Sequence, residues 1–177
     1  HMESHLISFF GYSGVGKSTC VLQLIQDKFV EGIDRNFSYQ YRKQFTIDEL
    51  PCRLYILDAE PFGINQAVDD THITRNDGFI LIYSVTDRKS FDSISNIYHC
   101  ILRTKNLNTV PIVIVGNKCD LESERQVSKS EGEELANILK CPFFETSAKN
   151  GSNIHNTLFQ IVRIIRQNIN NDEIPRK

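Results

Sequence analysis

The chain has 177 residues, of which 40% are hydrophobic and 24% charged, a length and balance that indicate one packed domain and exclude extensive disorder. The formal net charge of −2 gives no polybasic signature for nucleic acid, and the apolar runs are too short to span a bilayer. Five cysteines without a CxxC pair indicate reduced thiols in a cytoplasmic protein. Neither they nor His72, His99 and His155 have the spacing of a metal site.

Patterns of strands and helices alternate along the chain. Short apolar or alternating runs predict strands at 6–10, 39–47, 53–57, 78–85, 111–115 and 142–145. Apolar residues at helical spacing predict helices from Lys17 onward, at 90–104, after the capping box formed by Ser128 and Glu131, and at 153–169. This alternation predicts an α/β domain with a mostly parallel sheet.

The two ends of the chain are set apart from this domain. His1-Met2 has the form of a remnant of a cleaved affinity tag. Residues 170–177 form a polar tail that does not end in a lipidation motif. We therefore expect attachment to the cytoplasmic face of a membrane only if the native tail is lipidated.

Residues 11–18, with the sequence GYSGVGKS, match the phosphate-binding loop at every fixed position, between a predicted strand and a predicted helix. Glycines allow successive main-chain N–H groups to point at phosphate oxygens, and the helix N-terminus adds positive charge. Lys17 would reach the β and γ phosphates, and Ser18 would offer its hydroxyl to Mg²⁺. The alternative is a glycine-rich turn that binds no ligand.

Two further motifs follow predicted strands. In the first, Asn117-Lys118-Cys119-Asp120, the Asp120 carboxylate is suited to accept from the ring N–H and the amino group of guanine, a donor pair that adenine does not offer. In the second, ETSAK at 145–149, the N–H groups of Ser147 and Ala148 would hold the guanine carbonyl and Lys149 would cover the base. Taken alone, each tetrapeptide or pentapeptide could be an ordinary polar loop.

The spacing of these motifs resembles the small GTPases, and the Ras family in particular, over residues 5–169. The resemblance implies a P-loop G domain: a six-stranded, mostly parallel sheet with one antiparallel strand, flanked by about five helices. It implies GDP or GTP with Mg²⁺ as cofactors, and a monomer whose two switch loops meet effectors and exchange factors. Phe29 would lie against the guanine, and Lys118 would pack along the base. The implied nucleotide contacts are Ser13, Gly14, Val15, Gly16, Lys17, Ser18, Thr19, Phe29, Asn117, Lys118, Asp120, Leu121, Ser147, Ala148 and Lys149.

The switch segments depart from the family pattern. Mg²⁺ would be held by Ser18 and, through water, by Asp58, but the switch I Thr that also binds it is Asn36 here. Ile33 replaces the aromatic that closes over the phosphates. Ser38 and Tyr39 replace the acidic pair that ordinary Ras effectors recognise, so those effectors are poor candidates.

Switch II departs further. Pro61 replaces a Gly whose N–H binds the γ phosphate, and Phe62 replaces the Gln that orients the attacking water. Glu60 adds a carboxylate near the γ phosphate. A loop whose residues simply face solvent is the alternative interpretation.

These departures leave two functional readings open. We expect a Ras-like GDP/GTP-binding signalling switch with weak GTP hydrolysis, in which Lys17 compensates phosphate charge and no water-orienting residue is assigned. The alternative is a hydrolysis-deficient protein that acts as a constitutive binding module. The two base motifs argue against a third class, an adenine-specific P-loop kinase or ATPase.

Overall fold

The computed structural model describes residues 2–26, 39–59 and 73–172. Within these ranges six strands form one sheet in the order β2-β3-β1-β4-β5-β6. The strands are β1 (Glu3–Gly11), β2 (Tyr39–Ile47), β3 (Leu50–Asp58), β4 (Gly78–Ser84), β5 (Ile112–Asn117) and β6 (Phe143–Glu145). β2 pairs antiparallel with β3, and the other pairings are parallel. The predicted α/β class with a mostly parallel six-stranded sheet is confirmed.

Helices cover both faces of the sheet. The described residues form α1 (Lys17–Gln26), α2 (Arg88–Asp92), α3 (Ile94–Lys105), α4 (Lys129–Leu139) and α5 (Ile154–Asp172), with a 3₁₀ turn at Glu122–Glu124. The apolar sides of α1 and α5 pack on one face around Ile7, Phe9 and Ile56. Those of α2, α3 and α4 pack on the other face around Phe79, Leu81 and Ile114. Because both faces are covered, every residue of β4 and β5 is buried, as their aliphatic sequences predict.

The helix boundaries follow local hydrogen bonds. The predicted capping box is present at the start of α4, where the side chains of Ser128 and Glu131 each accept from the other's main-chain N–H. The helix predicted at 90–104 is instead two helices that meet at Ser93. The Ser93 hydroxyl donates to the carbonyl of Ser90 at 2.7 Å, a local bond that competes with regular helix pairing. The break is slight, because Ser93 keeps helical φ and ψ angles of −75° and −21°.

The carboxyl ends of the parallel strands converge on one edge of the sheet, where ligands bind in open α/β folds. The phosphate-binding loop follows β1, Ala59 follows β3, and the two base motifs lie at the ends of β5 and β6. At the opposite end, Arg163 and Arg166 of α5 bind Asp48 and Glu3. No helix among the described residues combines the length and hydropathy needed to cross a bilayer.

Candidate functional site

The loop at 11–18 turns tightly between β1 and α1. Gly14 and Gly16 have φ angles of +79° and +86°, a backbone conformation that side chains with a Cβ rarely adopt. A Cβ at Gly16 would lie 2.5 Å from Nδ2 of Asn117, so this position also requires the absence of a side chain. The N–H of Cys20 donates to the carbonyl of Gly16 at 3.0 Å and begins α1. The N-terminus of α1 therefore lies directly at the end of the loop, which is the arrangement that favours phosphate binding.

Lys17, in the first turn of α1, forms a buried ion pair. Its ammonium group donates to Oδ1 of Asp58 at 2.8 Å and also to the carbonyl oxygen of Ala59. The Lys17 side chain is 6% exposed and that of Asp58 is 2% exposed. The residue predicted to neutralise phosphate and the residue predicted to hold Mg²⁺ through water therefore touch each other.

The first base motif is bound directly to the phosphate-binding loop. The side-chain amide of Asn117 donates to the carbonyl of Val15 at 2.9 Å, and its Oδ1 accepts from the hydroxyl of Thr146 at 3.0 Å. The ammonium group of Lys118 donates to the carbonyl of Gly14 at 2.6 Å. Because these two carbonyls are held from outside the loop, the peptide units around Val15 are fixed in orientation.

The two base motifs also contact each other. The hydroxyl of Ser147 donates to Oδ1 of Asp120 at 2.7 Å and accepts from the N–H of Asn150 at 3.3 Å. Ser147 and Ser152 exchange main-chain hydrogen bonds of 3.3 and 3.1 Å that close the loop after β6. Asp120 is exposed. One of its oxygens is thus held in place while the carboxylate remains open to a ligand.

Two cysteines beside the site are held in their neutral form. Burial raises the pKa of the Cys20 thiol to about 12, and the nearby Asp58 carboxylate adds to the shift. Burial also raises the pKa of the Cys119 thiol, with the Glu145 and Asp120 carboxylates contributing. A neutral thiol is a poor nucleophile and a poor metal ligand, so these residues pack as small apolar groups.

The structure brings most of the predicted site residues to this one edge. Ser18 and Thr19 are half-buried in α1, Ala148 is buried beside Ser147, Lys149 is exposed, and Leu121 precedes the 3₁₀ turn. The remaining predictions fall outside the described residues; they concern Phe29, Ile33, Asn36 and Ser38 in switch I, and Glu60, Pro61 and Phe62 in switch II.

Two residues at the site were not predicted from the sequence. Thr146 is fully buried and orients the Asn117 amide, as given above. Arg125 joins the two base loops through ion pairs with Glu122 and Glu145. For Thr146 a signal existed, because a hydroxyl that directly follows a strand next to a base motif needs a partner. Arg125 lies among other charged residues in a connector, and its spacing gives no signal.

A family comparison agrees with this geometry. The model that describes the Ras family matches residues 7–167, which is nearly the whole chain. The match spans the phosphate-binding loop, Asp58 and both base motifs, the same segments that meet at the carboxyl edge of the sheet. The chain therefore belongs to the Ras family of small GTPases.

Proposed function

We propose that this Ras-family protein binds GDP and GTP with Mg²⁺ and acts as a signalling switch whose intrinsic GTP hydrolysis is weak. One observation carries the proposal. The side chains of Asn117 and Lys118 donate to the carbonyls of Val15 and Gly14, so that the base motif and the phosphate-binding loop are joined side by side at one edge of the sheet. This arrangement suits a ligand with a base at one end and phosphates at the other.

The donor set at the phosphate end fits a nucleotide with a divalent metal. The main-chain N–H groups of the loop and the Lys17 ammonium would bind the phosphates. The hydroxyl of Ser18 and the carboxylate of Asp58, through water, are oxygen ligands of the kind that Mg²⁺ prefers, and Asn36 is a further candidate. Since Lys17 is paired with Asp58, phosphate would compete for the ammonium group and release Asp58 toward the metal.

The base end would select guanine. The Asp120 carboxylate would accept from the ring N–H and the amino group, while N–H groups at Ser147 and Ala148 would meet the carbonyl. Lys118, Lys149 and Leu121 would pack around the ring, and Phe29 would close it on the side of switch I. An adenine ring would leave the Asp120 carboxylate without donors, which is the strongest form of discrimination a site of this kind offers.

Weak hydrolysis follows from three residues of switch II. Phe62 cannot orient a water molecule, and Pro61 has no N–H to offer the γ phosphate. A Glu60 carboxylate about 4 Å from the γ phosphate would be repelled by at most roughly 4 kcal/mol at an effective dielectric constant of about 20. Glu60 can reduce this repulsion by turning toward water. We expect GTP to be hydrolysed slowly and to be bound no more tightly than GDP.

Two measurements test the proposal. Chromatography of the nucleotide released from denatured, freshly purified protein should yield guanine nucleotides. Single-turnover hydrolysis of bound GTP should be slow and should accelerate in the Phe62→Gln variant. Release of adenine nucleotides would overturn the base assignment. Fast hydrolysis by the unmodified protein, with no gain in Phe62→Gln, would overturn the assignment of weak hydrolysis.

The same three switch II residues favour a second candidate, a protein that binds guanine nucleotide but acts as a constitutive binding module. The two candidates differ in whether GTP reorganises the switch segments, since a ligand shifts an equilibrium only through its differential affinity for the two states. Hydrogen exchange over residues 27–38 and 60–72 should differ between the GDP form and a form loaded with a non-hydrolysable GTP analogue if the protein is a switch. Equal exchange would favour the binding module.

A further inference from the structure

Arg125 is held by carboxylates on both sides of its guanidinium group. Nη1 and Nη2 donate to the two oxygens of Glu145 at 2.7 and 2.9 Å, and Nε and Nη2 donate to the two oxygens of Glu122 at 2.9 and 2.8 Å. Nη1 also donates to the carbonyl of Val127 at 2.9 Å. The Arg125 side chain is 16% exposed, and its two carboxylate partners hold its pKa above the ordinary range for arginine. The side chain therefore has one well-defined position.

The partners of Arg125 adjoin the two base motifs, Glu122 in the 3₁₀ turn and Glu145 at the end of β6. Glu122 follows Asp120 by two positions, and Glu145 precedes Ser147 by two positions. The hydroxyl of Ser147 joins the loops on the ligand side through its 2.7 Å bond to Asp120. Arg125 joins the 3₁₀ turn after Asp120 to the end of β6, from which the loop that carries Ser147 begins. The hydroxyl contact is a single charge-assisted bond, whereas the planar guanidinium group of Arg125 makes four to its two carboxylates, so we expect Arg125 to constrain the spacing between the loops more strongly.

We propose that Arg125 is a positioning residue for base recognition, which sets the distance between Asp120 and Ser147 and so controls discrimination of the guanine amino group. This inference rests on the proposed guanine-nucleotide binding. It does not require Arg125 to touch the ligand. The main-chain bonds from Cys119 N–H to Thr146 at 3.1 Å and from Thr146 N–H to Gly116 at 2.8 Å join the loops near the ends of β5 and β6. Arg125 adds a side-chain link from the end of β6 to the 3₁₀ turn that follows Asp120.

Release rates of GDP and IDP test the inference, because inosine lacks the amino group of guanine. The rates are measured for the unmodified protein, Arg125→Ala, Arg125→Lys and a matched control, Arg88→Ala. Arg88 also binds a glutamate in bidentate fashion, Glu131, and donates to the carbonyl of Gln126 at 2.9 Å in the same connector, but it contacts neither base loop. The Arg88→Ala substitution therefore removes an ion pair of the same kind without releasing Glu145.

The unmodified protein should release IDP about tenfold faster than GDP, the equivalent of one charge-assisted hydrogen bond. Arg125→Ala should accelerate GDP release about tenfold and bring the ratio of the two rates close to one. Arg125→Lys keeps the charge but cannot bind two carboxylates in bidentate fashion, so its ratio of the two rates should lie between those of the unmodified protein and Arg125→Ala. Arg88→Ala should keep the ratio of the unmodified protein. A purely structural role for Arg125 would accelerate release of both nucleotides equally and leave the ratio unchanged.

The outcomes distinguish guanine specificity from the positioning role of Arg125. If the unmodified protein does not prefer GDP to IDP, the proposed guanine specificity is wrong. If it does prefer GDP and both Arg125 variants keep that preference, the positioning role of Arg125 is wrong. Should Arg125→Ala fail to fold, Arg125→Lys and Glu145→Gln decide the question by the same ratio.

Discussion

The side-chain amide of Asn117 donates a hydrogen bond of 2.9 Å to the carbonyl of Val15, a residue 102 positions earlier in the chain. The same amide accepts from the Thr146 hydroxyl at 3.0 Å. One side chain thus joins three segments, the phosphate-binding loop, the end of β5 and the loop after β6. Both ends of the amide are used, so neither a carboxylate nor an aliphatic side chain could replace it without leaving a buried polar partner unsatisfied.

Replacing Gly16 should disrupt this junction more than replacing Gly14. Both residues have positive φ, so alanine strains the backbone by about 1–2 kcal/mol at either position. At Gly16 the added Cβ would also lie 2.5 Å from the Asn117 amide, whereas at Gly14 it would meet no atom within 4 Å. Gly16→Ala should therefore lower the affinity for GDP, measured by titration calorimetry, well beyond Gly14→Ala. Equal losses would show that backbone strain alone matters at both positions.

Asp120→Asn should convert the preference of the site from guanine to xanthine. The xanthine ring carries a carbonyl in place of the amino group, so an amide at 120 can donate where the carboxylate accepted. Loss of a charge-assisted pair should cost about 2–3 kcal/mol of GDP binding, and XDP should compete better than GDP in displacement titrations. Asp92→Asn, an exposed aspartate on α2 away from the pocket, is the control and should bind GDP normally. Unchanged GDP affinity in Asp120→Asn would contradict the assignment of the base site.

Removal of Mg²⁺ should accelerate release of GDP. The Ser18 hydroxyl and Asp58 are the oxygen ligands proposed for the metal, which would bridge the protein and the β phosphate. Adding EDTA to the GDP-loaded protein should raise the release rate. The rate is measured by displacement of a fluorescent GDP analogue. The Ser18→Ala variant should release GDP rapidly even with excess Mg²⁺ and should respond little to EDTA. A release rate of the unmodified protein that is indifferent to the chelator would argue against a metal at this position.

Glu131 should make stability dependent on pH in the acid range. Its hydrogen bond to Arg88, together with its bond from the Ser128 N–H, lowers the pKa of Glu131 from the ordinary 4.5 to about 2. Because this pKa is lower in the folded state than in the unfolded state, the Glu131 carboxylate stabilises the folded state fully above pH 4.5. This contribution to stability is lost as the pH falls toward 2. Glu131→Gln keeps the capping geometry and removes the charge, so its Tm should lie below that of the unmodified protein at pH 7.

The difference in Tm between Glu131→Gln and the unmodified protein should shrink between pH 4.5 and 2, as Glu131 is protonated and becomes neutral like the glutamine. Glu134→Gln is the control, since Glu134 is exposed on the same helix and makes no ion pair with the described residues. A Tm difference that persists at pH 2 would show that Glu131 acts through packing rather than through its charge.

The sequence predicted the alternation of strands and helices because buried strands and amphipathic helices leave clear apolar patterns. It missed the first residues of β1, where Glu3 and His5 are polar. There the strand is held by pairing with β3 and by the bond from Arg166 to Glu3, neither of which is visible in a local window.

The candidate site shows the same division. The glycines of the phosphate-binding loop follow from local backbone requirements, and Lys17 and Ser18 follow them directly, so residues 11–18 could be recognised from the sequence alone. The pairing of Lys17 with Asp58 and of Arg125 with Glu145 joins residues 41 and 20 positions apart. Charged residues in loops have many possible partners, and only the folded chain selects among them.

The contacts at the candidate site link residues 11–18, 58–59, 117–125 and 145–153, whereas the departures from the family pattern fall at 33–39 and 60–62. Under the proposed function, nucleotide retention and nucleotide turnover depend on different parts of the chain. Substitutions at 33–39 and 60–62 could therefore abolish GTP hydrolysis without preventing nucleotide binding. In such a protein the nucleotide would become a permanent structural component of the domain, in the way that a structural zinc ion is part of a zinc finger.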